Sequence, residues 1–469
     1  MIASALVALP LVAAALCAAP LLSRWSRTIA AVASLAVAVV AFATVVVPLA
    51  TDARISWAAV LGASYIVDVD GVSAIFITLG GVVFAVGAAA SAHVPHRRAY
   101  FALWCLLVAA VDGVFVARDL GLFFVFWEAM LVPLAILMWQ WGGADRRGAT
   151  IRFLLYTMAG SALLLVGVVS VAVARGTLDI DALAARPVPA SAQLLPALLF
   201  LAAFAVKLPL FPFHAWLPRA YVAAPIPVAL ALSGIVAKTA VYAIIRIGLG
   251  LFPEGVAQAA PALVALAAVG TLYGALLATR QDDLRRLIAF SSLSHLNLIG
   301  LAVFAATLTS LRGAVVASVS HGLVVAALFL LAAMLARRTS SFALSRAGGL
   351  ASSAPVLTAF STLAVIAAIG VPGTSGFAGE FLSLAGTYER YPAAAITATL
   401  VVIVAAVYGL GLVRRAFHGP PLATGPDLGW RERALVAPLL ALVLVVGAAP
   451  WIVTDHVGQE IVPASLGAR

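Results

Sequence analysis

Two cysteines, Cys17 and Cys105, are all that 469 residues contain, and both lie inside apolar runs. A disulfide framework and a cysteine-ligated iron–sulfur cluster are therefore excluded. Charge is equally scarce: 28 basic and 18 acidic side chains in a chain that is 64% hydrophobic are too few to cover a water-facing surface. There is no Gly-rich phosphate loop in a strand-to-helix setting and no dinucleotide fingerprint. Any redox chemistry must then belong to partner chains. The short alternating segments of a transmembrane β-barrel are missing too.

What the sequence has instead is long apolar runs such as Ile29 to Ala50. About 20 apolar residues make one membrane-spanning helix. Apolar runs set against turn and charge signals predict an all-α polytopic membrane protein with fourteen spans, at 2–21, 28–50, 71–92, 99–117, 119–140, 151–174, 193–213, 226–250, 257–279, 285–306, 311–336, 354–388, 393–413 and 434–453. The first run has no basic segment before it, so it reads as an ordinary helix rather than a cleaved signal peptide.

The 28 basic residues divide into 26 arginines and two lysines, Lys207 and Lys238. Loops after odd-numbered spans hold 18 of the arginines, and the opposite side holds eight, including Arg54, Arg118, Arg246 and Arg469. This asymmetry explains the formal charge of +10 as topology rather than nucleic-acid binding, and it places both termini on the non-cytoplasmic side.

Two spans are interrupted. The seventh carries Lys207-Leu-Pro-Leu-Phe-Pro212 before a half-polar stretch with His214, Trp216 and Arg219, and the twelfth carries Gly370-Val-Pro-Gly-Thr-Ser-Gly376 before Glu380. Proline removes a backbone donor and clashes with the preceding turn, so both helices should break near mid-membrane. The breaks are five spans apart, and an odd offset reverses direction. Paired broken helices of opposite direction suggest two inverted five-helix repeats, spans 4–8 and 9–13; the alternative is two unrelated proline kinks. The chain then divides into residues 1–98, a first repeat at 99–250, its inverted partner at 257–415 and a C-terminal helix in 416–469.

Six ionisable residues fall well inside these spans: Glu128, Lys207, Lys238, His295, His321 and Glu380. Asp112 is a seventh, expected to reach the membrane interface. A charged side chain at a helix centre costs roughly 2.5 to 3.5 kcal/mol, which makes each a functional candidate unless it is paired for structure. Arginine serves wherever the loops need positive charge, yet lysine stands at two buried positions. Lysine can surrender its proton in such a place and arginine cannot. Glu128 has no basic residue one turn away, so its expected partner is Lys207 on another helix, as a modulating ion pair; the plainer reading makes the lysines permanent counter-ions. His295, with Ser291, Ser292 and Asn297, forms a polar stripe suited to ordering water, and His321 follows Ser318. Both histidines suit proton relay near neutral pH, or else simply bridge helices. Lysine offers sodium no oxygen ligand, so the row favours protons.

These stretches, Ala205–Pro225 (AVKLPLFPFHAWLPRAYVAAP), Gly234–Thr239, Asp283–His295 (DLRRLIAFSSLSH), Ser320–Met334 and Gly373–Leu382 (GTSGFAGEFL), resemble the antiporter-like membrane subunits of proton-pumping NADH:quinone oxidoreductase, respiratory complex I. The resemblance covers spans four to thirteen. Within that family the chain is most similar to the subunit with glutamate rather than lysine on the twelfth span, here Glu380, and no long lateral helix. Arg285 and Arg286 stand where relatives often have a lysine. The resemblance implies that Glu128 and Lys207 pair in a first half-channel, that Lys238, His295 and His321 relay protons, and that Glu380 is the exit-side acid. It implies no cofactor or metal on this chain, with NADH, FMN, iron–sulfur clusters and quinone on partner subunits. The implied partners are the other membrane subunits of the complex, homologous antiporter-like subunits among them, in a bacterial inner membrane. A cation/proton antiporter subunit, a hydrogenase-type relative and a purely structural membrane scaffold are the competing readings.

Overall fold

A computed structural model describes residues 1–47, 52–58, 63–420 and 422–458. Arg469, with the rest of 459–469 from the C-terminal segment, lies outside the described residues, as do 48–51 at the end of the second span.

From the N-terminus, α1 (Ile2–Ala18), a 3-10 turn (Pro20–Trp25) and α2 (Ser26–Val46) lead into a hairpin of β1 (Ala53–Ala58) and β2 (Ala63–Val67). Then come α3 (Gly71–Ala90), α4 (Arg97–Val116), α5 (Leu120–Ala129), α6 (Leu131–Trp141), α7 (Arg146–Arg175) and the short α8 (Ile180–Ala185). The next are α9 (Leu194–Lys207), α10 (Leu217–Ala223), α11 (Ile226–Ala231) and α12 (Lys238–Ala243), with π-helical stretches Leu232–Val236 and Ile244–Leu249 on either side of α12. The chain continues through α13 (Pro253–Thr279), α14 (Leu284–Ala305), α15 (Leu308–Thr339), α16 (Pro355–Ala368), α17 (Ser375–Tyr388), α18 (Pro392–Phe417), α19 (Trp430–Ala448) and α20 (Trp451–Thr454).

Ten helical segments among the described residues are long and apolar enough to cross a membrane, and α1, α9 and α16 are shorter apolar helices. Local chemistry sets their ends. Asp70, Asp119 and Asp283 cap α3, α5 and α14 by accepting first-turn backbone N–H groups, and Thr307 and Ser310 cap α15 reciprocally. Proline opens α13, α16 and α18, where its missing donor costs nothing. Helix α9 stops at Lys207 and helix resumes at Leu217; α16 stops at Ala368 and helix resumes at Ser375. The prolines of both gaps leave no donor to carry the helix through.

The expectation of an all-α chain is corrected by the hairpin, whose strands pair antiparallel from Ala53 opposite Val67. Strands of six and five residues between two spans are too short to stand out from the apolar sequence around them. They are tied to the helices by Asp119, whose Oδ2 accepts the Ser64 N–H at 3.0 Å.

Burial divides the helices. The apolar windows of the α11–α12 segment and of α15 are wholly buried and that of α14 is 94% buried, against 33% for α2 and 39% for α7 and α18. Lys238, His321 and His295 are on the three enclosed segments. Helix α15 packs on α14, α16 and α17, and α14 packs on α13. Contact between α15 and α17 is close because α17 is glycine-rich there: a Cβ at Gly379 would strike the Ala317 backbone.

Candidate functional site

Lys238 lies two residues beyond the first π-helical stretch and is fully buried. Such a turn leaves carbonyls out of the regular ladder, and the Lys238 ammonium takes one of them, the carbonyl of Ser233. Its second partner is His321 on α15: Nζ lies 2.6 Å from Nδ1 of the ring, and Nε2 of the same ring lies 2.9 Å from Ser292 Oγ on α14. An ammonium only donates, so when Lys238 is charged Nδ1 of His321 accepts and the ring proton sits on Nε2, directed at Ser292.

His295 is one turn further along α14. Its ring centre is 6.0 Å from that of His321. Nδ1 lies 2.7 Å from the Ser291 carbonyl, and Nε2 lies 2.9 Å from the Ala368 carbonyl and 3.3 Å from Glu380 Oε1. Ala368 is the last residue of α16, so its carbonyl is one that the broken helix leaves free. Both nitrogens face acceptors. A doubly protonated ring beside an ionised Glu380 satisfies all of them at once.

Glu380 is held on α17 beneath the second break. Gly370 has φ +68°, and a Cβ there would run into the Glu380 carboxylate. Tyr408 on α18 bonds Ser291 Oγ at 2.8 Å, and Ser375 donates to Ser320 at 2.8 Å. Ser291, Ser292, His295, Ser320, His321 and Glu380 line a cavity of about 30 Å³. That is room for a water or two, with more than the two to four polar partners each needs.

Four of the six expected site residues thus form one row, Lys238–His321–His295–Glu380. The other two are apart from it. Lys207, 2% exposed, has no hydrogen-bond partner, and the Glu128 Oε1 atom has none either. The expected Glu128–Lys207 pair is open in this structure, the two groups sharing no hydrogen bond. Glu128 is half-buried on α5, one turn from the exposed Val125 and Val132. Lys207 instead sits over the Trp127 ring, 4.7 Å from its centroid. A buried mid-membrane charge costs on the order of 3 kcal/mol. A desolvated cation–π contact returns about 2 kcal/mol, and the C-terminal end of α9, where Lys207 sits, returns up to about 1 kcal/mol. The contact with Trp127 thus offsets much of the cost of burying the charge while the pair is open.

Asp112 is corrected as well: it does not reach the interface but is fully buried on α4, with neither carboxylate oxygen hydrogen-bonded. His214 lies against Phe211 and Tyr273, at centroid distances of 5.5 and 5.1 Å, away from the row.

Asn297 does more than a polar stripe implies. Its amide donates to the carbonyls of Leu293, at 2.8 Å, and Pro209, at 3.2 Å, while its Oδ1 accepts the Phe211 N–H at 3.1 Å. It fixes the first break, and so the end of α9 bearing Lys207, to the helix that carries His295. Trp127 and Tyr408 do not stand out in the sequence, because hydroxyl and indole groups give no signal among apolar neighbours until the helices are placed.

Comparisons with known proteins agree with this geometry. A family profile described as NADH:quinone oxidoreductase/Mrp antiporter, TM, matches residues 117–406. NADH-quinone oxidoreductase subunit M of Rhodobacter capsulatus is 36% identical over 420 residues, 86% of this chain and 82% of that one. NAD(P)H-quinone oxidoreductase chain 4 of Synechococcus sp. (strain JA-3-3Ab) is 37% identical over 479 residues, 96% of this chain and 90% of that one. A chain of respiratory complex I from Thermus thermophilus superposes with a TM-score of 0.90 at 32% identity, over 98% of this chain and 99% of the other. The chain belongs to the NADH:quinone oxidoreductase/Mrp antiporter family of membrane subunits, in the branch of subunit M and chain 4.

Proposed function

We propose that this chain is the proton-translocating membrane subunit of an NADH:quinone oxidoreductase, moving protons through the buried row Lys238–His321–His295–Glu380, which Lys207 and Glu128 feed. The observation that carries the reading is the row itself: four titratable groups joined by one hydrogen bond, one ion contact and one small cavity, inside largely apolar helices. Redox chemistry takes place in partner subunits, which carry the FMN, iron–sulfur clusters and quinone site. This chain carries no redox group. Moving one charge against the membrane potential costs about 2.3 kcal/mol per 100 mV, and that energy arrives through the other membrane subunits of the complex, including homologous antiporter-like ones.

The reading takes α5 with α6, α9 with α10, α11 with α12, and α16 with α17 as one span each, which gives fourteen. It divides them as 1–98, 99–250, 257–415 and 416–469, with the two middle parts as inverted repeats whose broken helices correspond. The membrane is the bacterial inner membrane, with the arginine-rich loops in the cytoplasm and both termini on the other side.

Two measurements test this. The chain should copurify with NADH-oxidising subunits. In the reconstituted complex, Lys207→Arg, which keeps the charge and removes the titration, should assemble normally and lower the protons moved per electron. Unchanged pumping with normal assembly would make the chain a scaffold.

A further inference from the structure

A second hydrogen-bonded series begins one turn beyond Lys238. Tyr242 shares its helix face at i+4, about 6 Å away between Cβ atoms, and is 1% exposed. Its ring is gripped edge-on by Phe115 of α4 at 5.3 Å, and Phe115 is stacked on Phe76 of α3. That grip aims the phenol oxygen at Ser73 in the first turn of α3, with 3.2 Å between the two hydroxyls. Ser73 Oγ is also 3.0 Å from Asp70 Oδ1. Ser73 Oγ is placed to donate to either the Tyr242 oxygen or Asp70, and serine has one proton; with that proton turned to Asp70, which only accepts, its oxygen is free to take the tyrosine proton. Asp70 Oδ2 pairs with Arg118, at 2.9 Å, and with Arg246. Arg118 in turn reaches Asp68 at 3.6 Å and Asp181 at 3.9 Å. Asp70 keeps 22% of its side chain exposed, whereas Asp68 keeps 37% and Asp181 55%. The series therefore runs from a closed interior to solvent, on the face of the molecule that carries the hairpin.

We propose that Tyr242, Ser73 and Asp70 form a proton path between the Lys238 end of the row and that face, separate from the route through Glu380. It rests on the proton-translocating reading above. In one transfer a proton bound for the outside joins the Tyr242 oxygen as the phenol's own proton passes to Ser73. The serine proton passes to Asp70, the carboxylic acid releases it to solvent, and both hydroxyls rotate back. No electron moves and every group ends as it began. A purely structural role, capping α3 and satisfying a buried phenol, needs the Ser73 N–H to Asp70 bond of 2.8 Å but not an unbroken series of hydroxyls.

The test measures protons moved per electron in vesicles reconstituted with the whole complex, for Tyr242→Phe, Ser73→Ala, Ser73→Thr and Lys238→Met. Tyr242→Phe keeps the ring and its packing. The path predicts that Tyr242→Phe and Ser73→Ala assemble but fall to the ratio of Lys238→Met, and that Ser73→Thr restores the wild-type ratio. Wild-type ratios in Tyr242→Phe and Ser73→Ala, with Lys238→Met reduced, would overturn the path and leave the proposed function standing. A wild-type ratio in Lys238→Met would overturn the proposed function and the path with it. Should Ser73→Ala disturb the α3 cap, Tyr242→Phe decides alone.

Discussion

His295 stands between Glu380 and His321, with Nε2 3.3 Å from the carboxylate and its ring centre 6.0 Å from the second imidazole. It also touches the second helix break, through the Ala368 carbonyl at 2.9 Å. Replacing Glu380 with Gln keeps the shape and removes the negative charge. The amide can donate to or accept from His295 but cannot take up and release a proton. Glu380→Gln should assemble and lower the protons per electron, measured by acidification in vesicles, while Glu380→Asp retains a partial ratio.

Lys207 rests on an aromatic face, 4.7 Å from the Trp127 ring centre. Trp127→Leu removes about 2 kcal/mol of cation–π stabilisation with nothing to take its place, and the thermal midpoint of the solubilised complex should fall. In a Lys207→Met background the same change should cost clearly less, since no cation then sits over the ring. Equal losses in both backgrounds would mean that Trp127 acts through packing alone.

Gly370 is the position where backbone and site meet most tightly. Gly370→Ala forces an L residue to φ +68°, at about 1 to 2 kcal/mol, and drives its methyl into the Glu380 carboxylate. Gly373→Ala has a similar backbone cost at φ +91° but open space around its Cβ. Both should lower stability, and only Gly370→Ala should also lower the pumping ratio.

Asn297 joins the first break to α14. Asn297→Ala leaves the Phe211 N–H and the Pro209 carbonyl buried without partners, at roughly 1 to 3 kcal/mol each. Thermal unfolding of the purified complex should show the loss, and hydrogen exchange should rise in residues 207–216 before other parts of the chain.

Outside the membrane, the Ser345 hydroxyl beside Asp282 holds its carboxyl below the usual carboxylate value of 3.8, with the Ser345 N–H and Arg415 adding to the effect. A depressed folded-state value means the contact is at full strength above 3.8 and is lost as pH falls through the lower value. Amide protection of residues 341–347 should therefore persist at neutral pH and drop only on strong acidification. Asp282→Asn should remove that pH dependence.

The apolar helices, both breaks and the six ionisable residues within the spans are legible in the amino-acid sequence, because apolar length, proline and isolated charge are local properties of a chain. Pairing is not local. Lys238 meets His321 across 83 positions, and nothing in either helix sets their mutual rotation and height. Glu128 and Lys207 are matched by charge in the sequence, and nothing there shows that the Trp127 indole also lies against the lysine. The hairpin is hidden for a different reason: its strands are shorter than the window needed to tell alternation from an apolar run. Asp70, Ser73 and Tyr242 give no signal at all, since a loop acid, a serine and a tyrosine are ordinary residues until two helices bring them together.

The π-helical stretch at Leu232–Val236 also has a bearing on how this segment tolerates change in length. A π turn carries one residue more than the α-helix it interrupts, so the part of the segment before Lys238 is one residue longer than a regular helix would be. Winding the same residues as regular α-helix would rotate everything downstream by about 100°, the angle between successive residues at 3.6 per turn, and would swing Lys238 off His321 and Tyr242 off Ser73 together. The segment is wholly enclosed by protein, and no lipid-facing side is left to absorb the turn. Insertion of a further residue into Leu232–Val236, which the π turn has no room to absorb, should therefore disturb both contacts more than the loss of one.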